Sequence, residues 1–347
     1  MKRSLTILSI ILLSGLSSFL LDACKKTDVR KKPTIVNFIT PAGFPQPVYD
    51  FSANPLTEEG IQLGQKLFYE DGLSAADFSC ASCHQQIGAF TTYEHDRSHG
   101  YNNSHTLRNA PALSNLAWQS VFRHDGSMNN LESLSLAHIT APDEMAETME
   151  NVVNKLSGDT KYKQLFRAAY GDETINSQGV LNSLTQFLIS MVSANSKYDK
   201  VKRGEENFGV YEEMGYAIFK AKCASCHTEP LFTDHSFRNI GLPVNPSLQD
   251  YGRMRVTSNK EDSLKIRVPG LRNVEFSSYY FHDGRYSNMQ KSIDHYRNGI
   301  QQSNTLDPSL VNGISLSDTD VINLIAFLKT LSDSAYIKDQ KFAKPTF

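Results

Sequence analysis

The chain has 347 residues, 40% hydrophobic and 21% charged, with 35 Lys and Arg against 37 Asp and Glu, a formal charge of −2. That composition excludes a mostly disordered, a collagen-like or a polytopic membrane chain, and the balanced charge leaves no basic footprint for nucleic acid. The length suits two or three domains, and five cysteines is an odd number, so one thiol of an exported chain needs its own explanation.

Met1-Lys2-Arg3 is a short basic start, followed by an apolar run from Leu5 to Leu21. The run is short for a membrane span and is flanked as an export signal would be. It ends at Leu21-Asp22-Ala23-Cys24, which resembles a bacterial lipoprotein signal, although Asp22 stands where a small or aliphatic residue is usual. Residues 1–23 are therefore expected to be a lipoprotein-type signal peptide, with an uncleaved anchor or ordinary signal cleavage as alternatives. Lipidation of Cys24 would hold the protein on the periplasmic side of a bacterial membrane, since two acyl chains suffice for stable anchoring. Residues 24–50, Lys/Arg-rich and then carrying Pro41, Pro45 and Pro47, read as a tether.

Helical patterns follow. Thr57 to Tyr69 opens with a capping threonine and Glu58-Glu59, and Val180 to Val192 places Leu181, Leu184, Leu188 and Val192 at helical spacing. Glu212 to Phe219 is a third helix. Ser317 to Leu331 starts with a good N-cap and acids at Asp318 and Asp320. Long irregular stretches, Ile87 to Ala110 and Leu231 to Val268, suit the lining of a cofactor or active site. No strong alternating strand run is present, so the expected class is mostly α.

The chain also repeats itself. Gly64-Gln65-Lys66-Leu67-Phe68, Cys80-Ala81-Ser82-Cys83-His84, Arg108-Asn109 and His124-Asp125-Gly126 are followed in the same order by Gly215-Tyr216-Ala217-Ile218-Phe219, Cys223-Ala224-Ser225-Cys226-His227, Arg272-Asn273 and His282-Asp283-Gly284. Two related domains, 51–205 and 206–335, with a tail at 336–347, are the natural reading.

Each Cys-x-x-Cys-His run is the attachment pattern of a c-type haem. Two thiols on one face of a helical turn form thioethers, and the next histidine is an axial ligand of the iron. A zinc site built from the four cysteines, or a disulfide inside each motif, is the alternative. The shared His offset and a separation of about 140 residues speak against zinc. Two thioethers at each motif plus a lipidated Cys24 account for all five cysteines.

The chain resembles the bacterial di-haem cytochrome c peroxidase and MauG family over roughly residues 51–335. Both CASCH motifs carry the likeness, with Ser98-His99-Gly100, Arg108-Asn109-Ala110-Pro111, Asp125-Gly126, Glu144-Met145, Val268-Pro269-Gly270-Leu271-Arg272-Asn273-Val274 and Tyr280-Phe281-His282-Asp283-Gly284. The resemblance implies two cytochrome c-like haem domains in tandem. It makes the haem on His84 the peroxide-reactive one, Glu144 its distal acid–base group, and His99 a detachable ligand. His138 lies 14 residues after His124, as Tyr296 does after His282, where relatives usually have a proline; it is a further candidate for the same pocket. On the His227 haem the position of a peroxidase's axial Met is taken by Tyr296, as in MauG-type proteins, with His295 and Met289 as the other candidates. The family's inter-haem Trp is replaced by His124, and the single Trp is Trp118, either a substitute relay or core. The family also implies a calcium at Asn109, Ser277 and the Tyr279 backbone, although Ser277 and Tyr279 are not its usual residues. Three functions follow as alternatives. The first is reduction of hydrogen peroxide with electrons from a small cytochrome or copper protein. The second is MauG-like oxidation of residues of a partner protein, and the third is electron carriage without catalysis.

Overall fold

The structure is a computed structural model that describes residues 32–346. The signal segment and Cys24 lie outside the described residues. Among those described, no helix is long and apolar enough to cross a membrane.

The chain is mostly α-helical. Its helices are α1 (Glu58–Phe68), α2 (Cys80–Cys83), α3 (Leu131–Thr140), α4 (Met149–Ser157), α5 (Thr160–Tyr170), α6 (Ser177–Ser190), α7 (Lys197–Lys202), α8 (Val210–Lys222), α9 (Met254–Thr257), α10 (Met289–Asp294) and α11 (Asp318–Lys329). One two-stranded antiparallel ribbon, β1 (Phe237–Arg238) with β2 (Ile266–Arg267), is the only sheet among the described residues. The expected starts at Thr57 and Ser317 hold for physical reasons, whereas the helices expected from Val180 and Glu212 begin earlier, at Ser177 and Val210. Thr57 Oγ1 accepts from Gly60 N at 3.0 Å at the head of α1, and Ser317 with Asp320 forms a capping box on α11.

The core has two clusters. One, around Leu63, Phe68, Phe90, Phe166 and Phe187, is drawn from residues 56 to 191 with Tyr336 and Phe342 added from the C-terminal end; the other, around Tyr198, Phe219, Phe232 and Phe327, lies between 198 and 331. A matching helix crossing organises each. α1 crosses α6 at Gly64, where an added Cβ would fall 1.9 Å from the Ser183 carbonyl oxygen and 2.8 Å from Phe187 Cβ. α8 crosses α11 at Gly215, where the same atom would fall 1.9 Å from the Asn323 carbonyl oxygen and 2.8 Å from Phe327 Cβ. Only a residue without a side chain lets the backbones approach so closely.

The geometry corrects one pairing of the repeat. Arg272-Asn273 does not correspond to Arg108-Asn109 but to Ser114-Asn115. Asn115 and Asn273 both take the left-handed conformation (φ 61° and 63°) ahead of a single 3-10 turn, and both bond Ser193, through its carbonyl and its hydroxyl respectively. On that register Asn109 corresponds to Arg267. Accordingly, Asn109 N–H donates to the His282 carbonyl and Arg267 N–H to the His124 carbonyl, each at 2.7 Å, a pseudo-two-fold pair joining the halves.

Two terminal expectations also change. From residue 33 the supposed tether is packed: Trp118 Nε1 donates to the Pro45 carbonyl at 2.7 Å, and Phe38 and Phe44 lie against the indole. Burying these aromatics outweighs the extended bias of the prolines. The supposed tail folds back likewise, with Tyr336 and Phe342 buried in the first cluster and Tyr69 OH donating to the Phe342 carbonyl at 2.7 Å. Trp118 is thus a core residue braced by the N-terminal segment.

Candidate functional site

The first Cys motif occupies the single turn of α2. The four described cysteines, Cys80 and Cys83 here and Cys223 and Cys226 in the second motif, are all free thiols. Burial, then the neighbouring thiol, pushes Cys80 and Cys223 up to about 12. The two histidines are oriented identically. His84 Nδ1–H donates to the Phe90 carbonyl at 2.9 Å, and His227 Nδ1–H to the Phe232 carbonyl at 3.0 Å. Since a carbonyl only accepts, Nδ1 carries the proton in each neutral ring and Nε2 is the unprotonated nitrogen, the tautomer of a metal-ligating imidazole. Burial holds His84 at about 4 and His227 below its ordinary value, so both rings are neutral and ready to ligate.

Against the first motif stands a polar group. α3 ends at Thr140, and the turn that follows returns Glu144 beneath it, so that His138 Nδ1–H donates to Glu144 Oε2. Tyr101 N–H donates to the Glu144 carbonyl at 2.8 Å and fixes the turn. Burial pushes the Glu144 carboxyl up, but the His138 hydrogen bond, with His138 and the Arg123 guanidinium nearby, outweighs it and holds the group below the usual range. Glu144 acts electrostatically on Cys80, Cys83 and His84. The expected Glu144 and His138 therefore meet at the first motif.

His99 does not join them. Its ring is exposed and lies between those of His95 and His105, with centroids 4.3 Å away on each side. The cause is a tight hairpin in which His99 pairs with His105 and Thr106 N–H donates to the Ser98 carbonyl, which turns the side chain outward.

The second motif opens into a cavity of about 370 Å³ lined by Cys223, Cys226, His227, Met289 and Tyr296. Tyr296 stands on a π-helical turn (His295–Gly299) that continues α10, a device that re-aims side chains and recurs at functional sites. Burial and the Cys223 and Cys226 thiols push its phenol well above the ordinary value. The neighbouring His295 points elsewhere, its Nε2–H donating to the Ile240 carbonyl at 2.8 Å. Asn109, Ser277 and Tyr279 all line this cavity, as does His124, whose Nε2–H donates to the Asn109 carbonyl at 2.9 Å. Burial, with Arg108 and His282 nearby, holds His124 at about 3 and so neutral.

These residues fit a haem at the second motif: paired thiols, a pre-aimed imidazole and a phenol all line one mainly apolar cavity. Both long irregular stretches contribute walls, through Thr91 and Ala110 and through Leu231, Thr233, His235 and Arg238. Sequence reasoning missed three residues. Arg123 faces Glu144, and Arg267 and His235 line the large cavity. The corrected repeat register was the available signal for Arg267, because it places that residue opposite Asn109.

A mostly helical fold with duplicated helix crossings and two Cys-x-x-Cys-His turns defines a class of multihaem oxidoreductase. The chain belongs to the di-haem cytochrome c peroxidase family: residues 58–207 match its description. It is 34% identical over 301 residues to the methylamine utilization protein MauG of Methylorubrum extorquens, covering 85% of this chain and 83% of that one. It is 28% identical to the cytochrome c551 peroxidase of Nitrosomonas europaea, covering 83% and 84%. The crystal structure of a MauG-like protein associated with microbial copper homeostasis superposes with a TM-score of 0.84 at 28% identity, covering 89% of this chain and 99% of that one.

Proposed function

We propose that this protein is an exported, lipid-anchored enzyme with two tandem cytochrome c-like domains, each holding a covalent c-type haem, that reduces hydrogen peroxide to water with electrons from a small redox protein. The observation that carries the reading is the Glu144–His138 pair set against Cys80, Cys83 and His84. The haem would be held by Cys80, Cys83 and His84, and when bound it supplies the redox centre at which peroxide is reduced. Splitting peroxide needs a group that takes a proton from one oxygen and returns it to the leaving oxygen. Glu144, ionised at rest and accepting from His138, is placed to take that proton. His138 holds the carboxylate in position and stabilises its charge. A second haem would be held by Cys223, Cys226 and His227, with Tyr296 lining the same cavity, and when bound would supply the centre that accepts electrons from the donor.

Tyr296 favours a second reading. A phenolate ligand stabilises oxidised iron, whereas a methionine raises the potential, so the second site would be a poor acceptor from ordinary donors. That suits oxidation of a residue on a partner protein, as the relatives named MauG suggest. Calcium held by Asn109, Ser277 and the Tyr279 backbone would be structural in either case.

Purified protein mixed with peroxide and a reduced small cytochrome or copper protein tests the choice. Rapid donor oxidation supports the peroxidase reading. Negligible donor turnover with a long-lived oxidised species supports the second, and no reaction with peroxide sinks both.

A further inference from the structure

The wall of the large cavity carries four cations, Lys222, Arg238, Arg267 and Arg272. Lys222 is exposed to water. Arg272 forms a fork with Asp199 at 2.8 and 2.9 Å, and Arg238 reaches Asp307 at 2.8 Å and Asp234 at 2.9 Å. Arg267 is different. It is 6% exposed, and its guanidinium reaches only the Arg123 carbonyl, at 3.4 Å, with no carboxylate partner among the described residues. A buried guanidinium cannot shed its charge as a lysine does, so leaving it unpaired is costly.

Beside it stands a second orphan. Both ring nitrogens of His235 are buried and neither has a hydrogen-bond partner. His235 lines the same cavity and interacts electrostatically with Arg267. Its neighbour Asp234 cannot neutralise the pair freely, because that carboxylate is engaged by Arg238 and by the Ser236 hydroxyl at 2.7 Å. Buried polar groups in folded proteins are nearly always satisfied, and an exception calls for an absent ligand.

We propose that Arg267 and His235 form a carboxylate-binding corner of the cavity, which takes propionate of the haem attached through Cys223 and Cys226. The proposal rests on the haem reading above and deepens it. The guanidinium offers paired donors to a carboxylate, and the imidazole offers one more. Backbone geometry holds the corner in place, because Arg267 N–H is bonded to the His124 carbonyl at 2.7 Å and β2 pairs with β1. The same position therefore ties the ligand's anionic edge to the joint between the two halves.

A buried cation at the edge of a haem favours the reduced state, which carries one more electron. Arg267→Gln is therefore expected to lower the midpoint potential of the second haem, identified as the one whose spectrum responds to Tyr296→Phe, and to leave the first haem in place. Arg267→Lys should restore part of the shift, and His235→Gln should move the potential in the same direction by less. The measurement is a spectroelectrochemical titration of the holoprotein, with haem content checked by pyridine haemochrome. Folded Arg267→Gln carrying two haems at unchanged potentials overturns the corner. Fewer than two haems in the unaltered protein would instead overturn the haem reading itself.

Discussion

In the proposed reaction Glu144 can accept a proton only while it is ionised, and the His138 hydrogen bond keeps it so against the pull of burial. Its folded value is depressed, so activity that needs the carboxylate is present above that value and is lost as pH falls through it. Replacing His138 by Gln removes the imidazole hydrogen bond that holds the Glu144 carboxyl down, so the acid limb of the pH–rate profile for peroxide should move to higher pH; an unmoved limb separates His138 from Glu144. Tyr296 makes a distinct prediction. Tyr296→Phe should change the absorption and EPR spectra of one haem alone, and unchanged spectra remove it as a ligand. The residues of this scale were unevenly legible. Cys80, Cys83, His84 and their counterparts announce themselves by the Cys-x-x-Cys-His spacing, and Tyr296 by its offset from His282. His99 lies outside the pocket because hairpin pairing decides which way its ring faces, and that pairing has no signature at one residue. Arg267 and His235 stayed hidden because an unpaired buried charge is a property of packing.

At the level of elements, the two helix crossings carry the fold. A methyl at Gly64 or Gly215 would meet a backbone carbonyl that cannot rotate away. Gly64→Ala should therefore destabilise the holoprotein by about 1–3 kcal/mol or more, the range for overpacking a well-filled contact, read as a lower melting temperature. A melt matching the unaltered protein contradicts the crossing. The Asp199–Arg272 pair joins α7 to the segment after the β2 strand and is nearly inaccessible to water. Asp199→Asn leaves the guanidinium buried without its partner and should cost about 3–5 kcal/mol. Helix starts were legible because caps and acidic first turns are local chemistry, as at Thr57 and Ser317. The packing of residues 33–50 and of Tyr336 and Phe342 was not, since prolines and short length look the same whether a segment hangs free or is pressed onto a core.

Across the whole molecule, the halves are joined by buried ion pairs that depend on pH. Asp250 accepts from Arg108 at 2.6 and 2.8 Å, and Arg108 also reaches Asp125 at 2.5 Å. Burial alone would push Asp250 up, but Arg108 outweighs it and holds the carboxyl at about 2. An unfolded aspartate titrates near ~3.9, so this pair contributes about 2–3 kcal/mol that is complete above pH ~4 and lost as pH falls toward 2. The stability gap between the unaltered protein and Arg108→Gln should therefore close over that window, measured by denaturant melts followed by circular dichroism; a gap independent of pH contradicts the pairing. The account as a whole turns on proton transfer at the first motif. The most direct measurement is the rate of peroxide consumption by fully haem-loaded protein and by Glu144→Gln with the same haem content. A fall of roughly 10²–10⁴-fold in the variant, the scale of one acid–base group, is predicted. Equal rates would contradict the account.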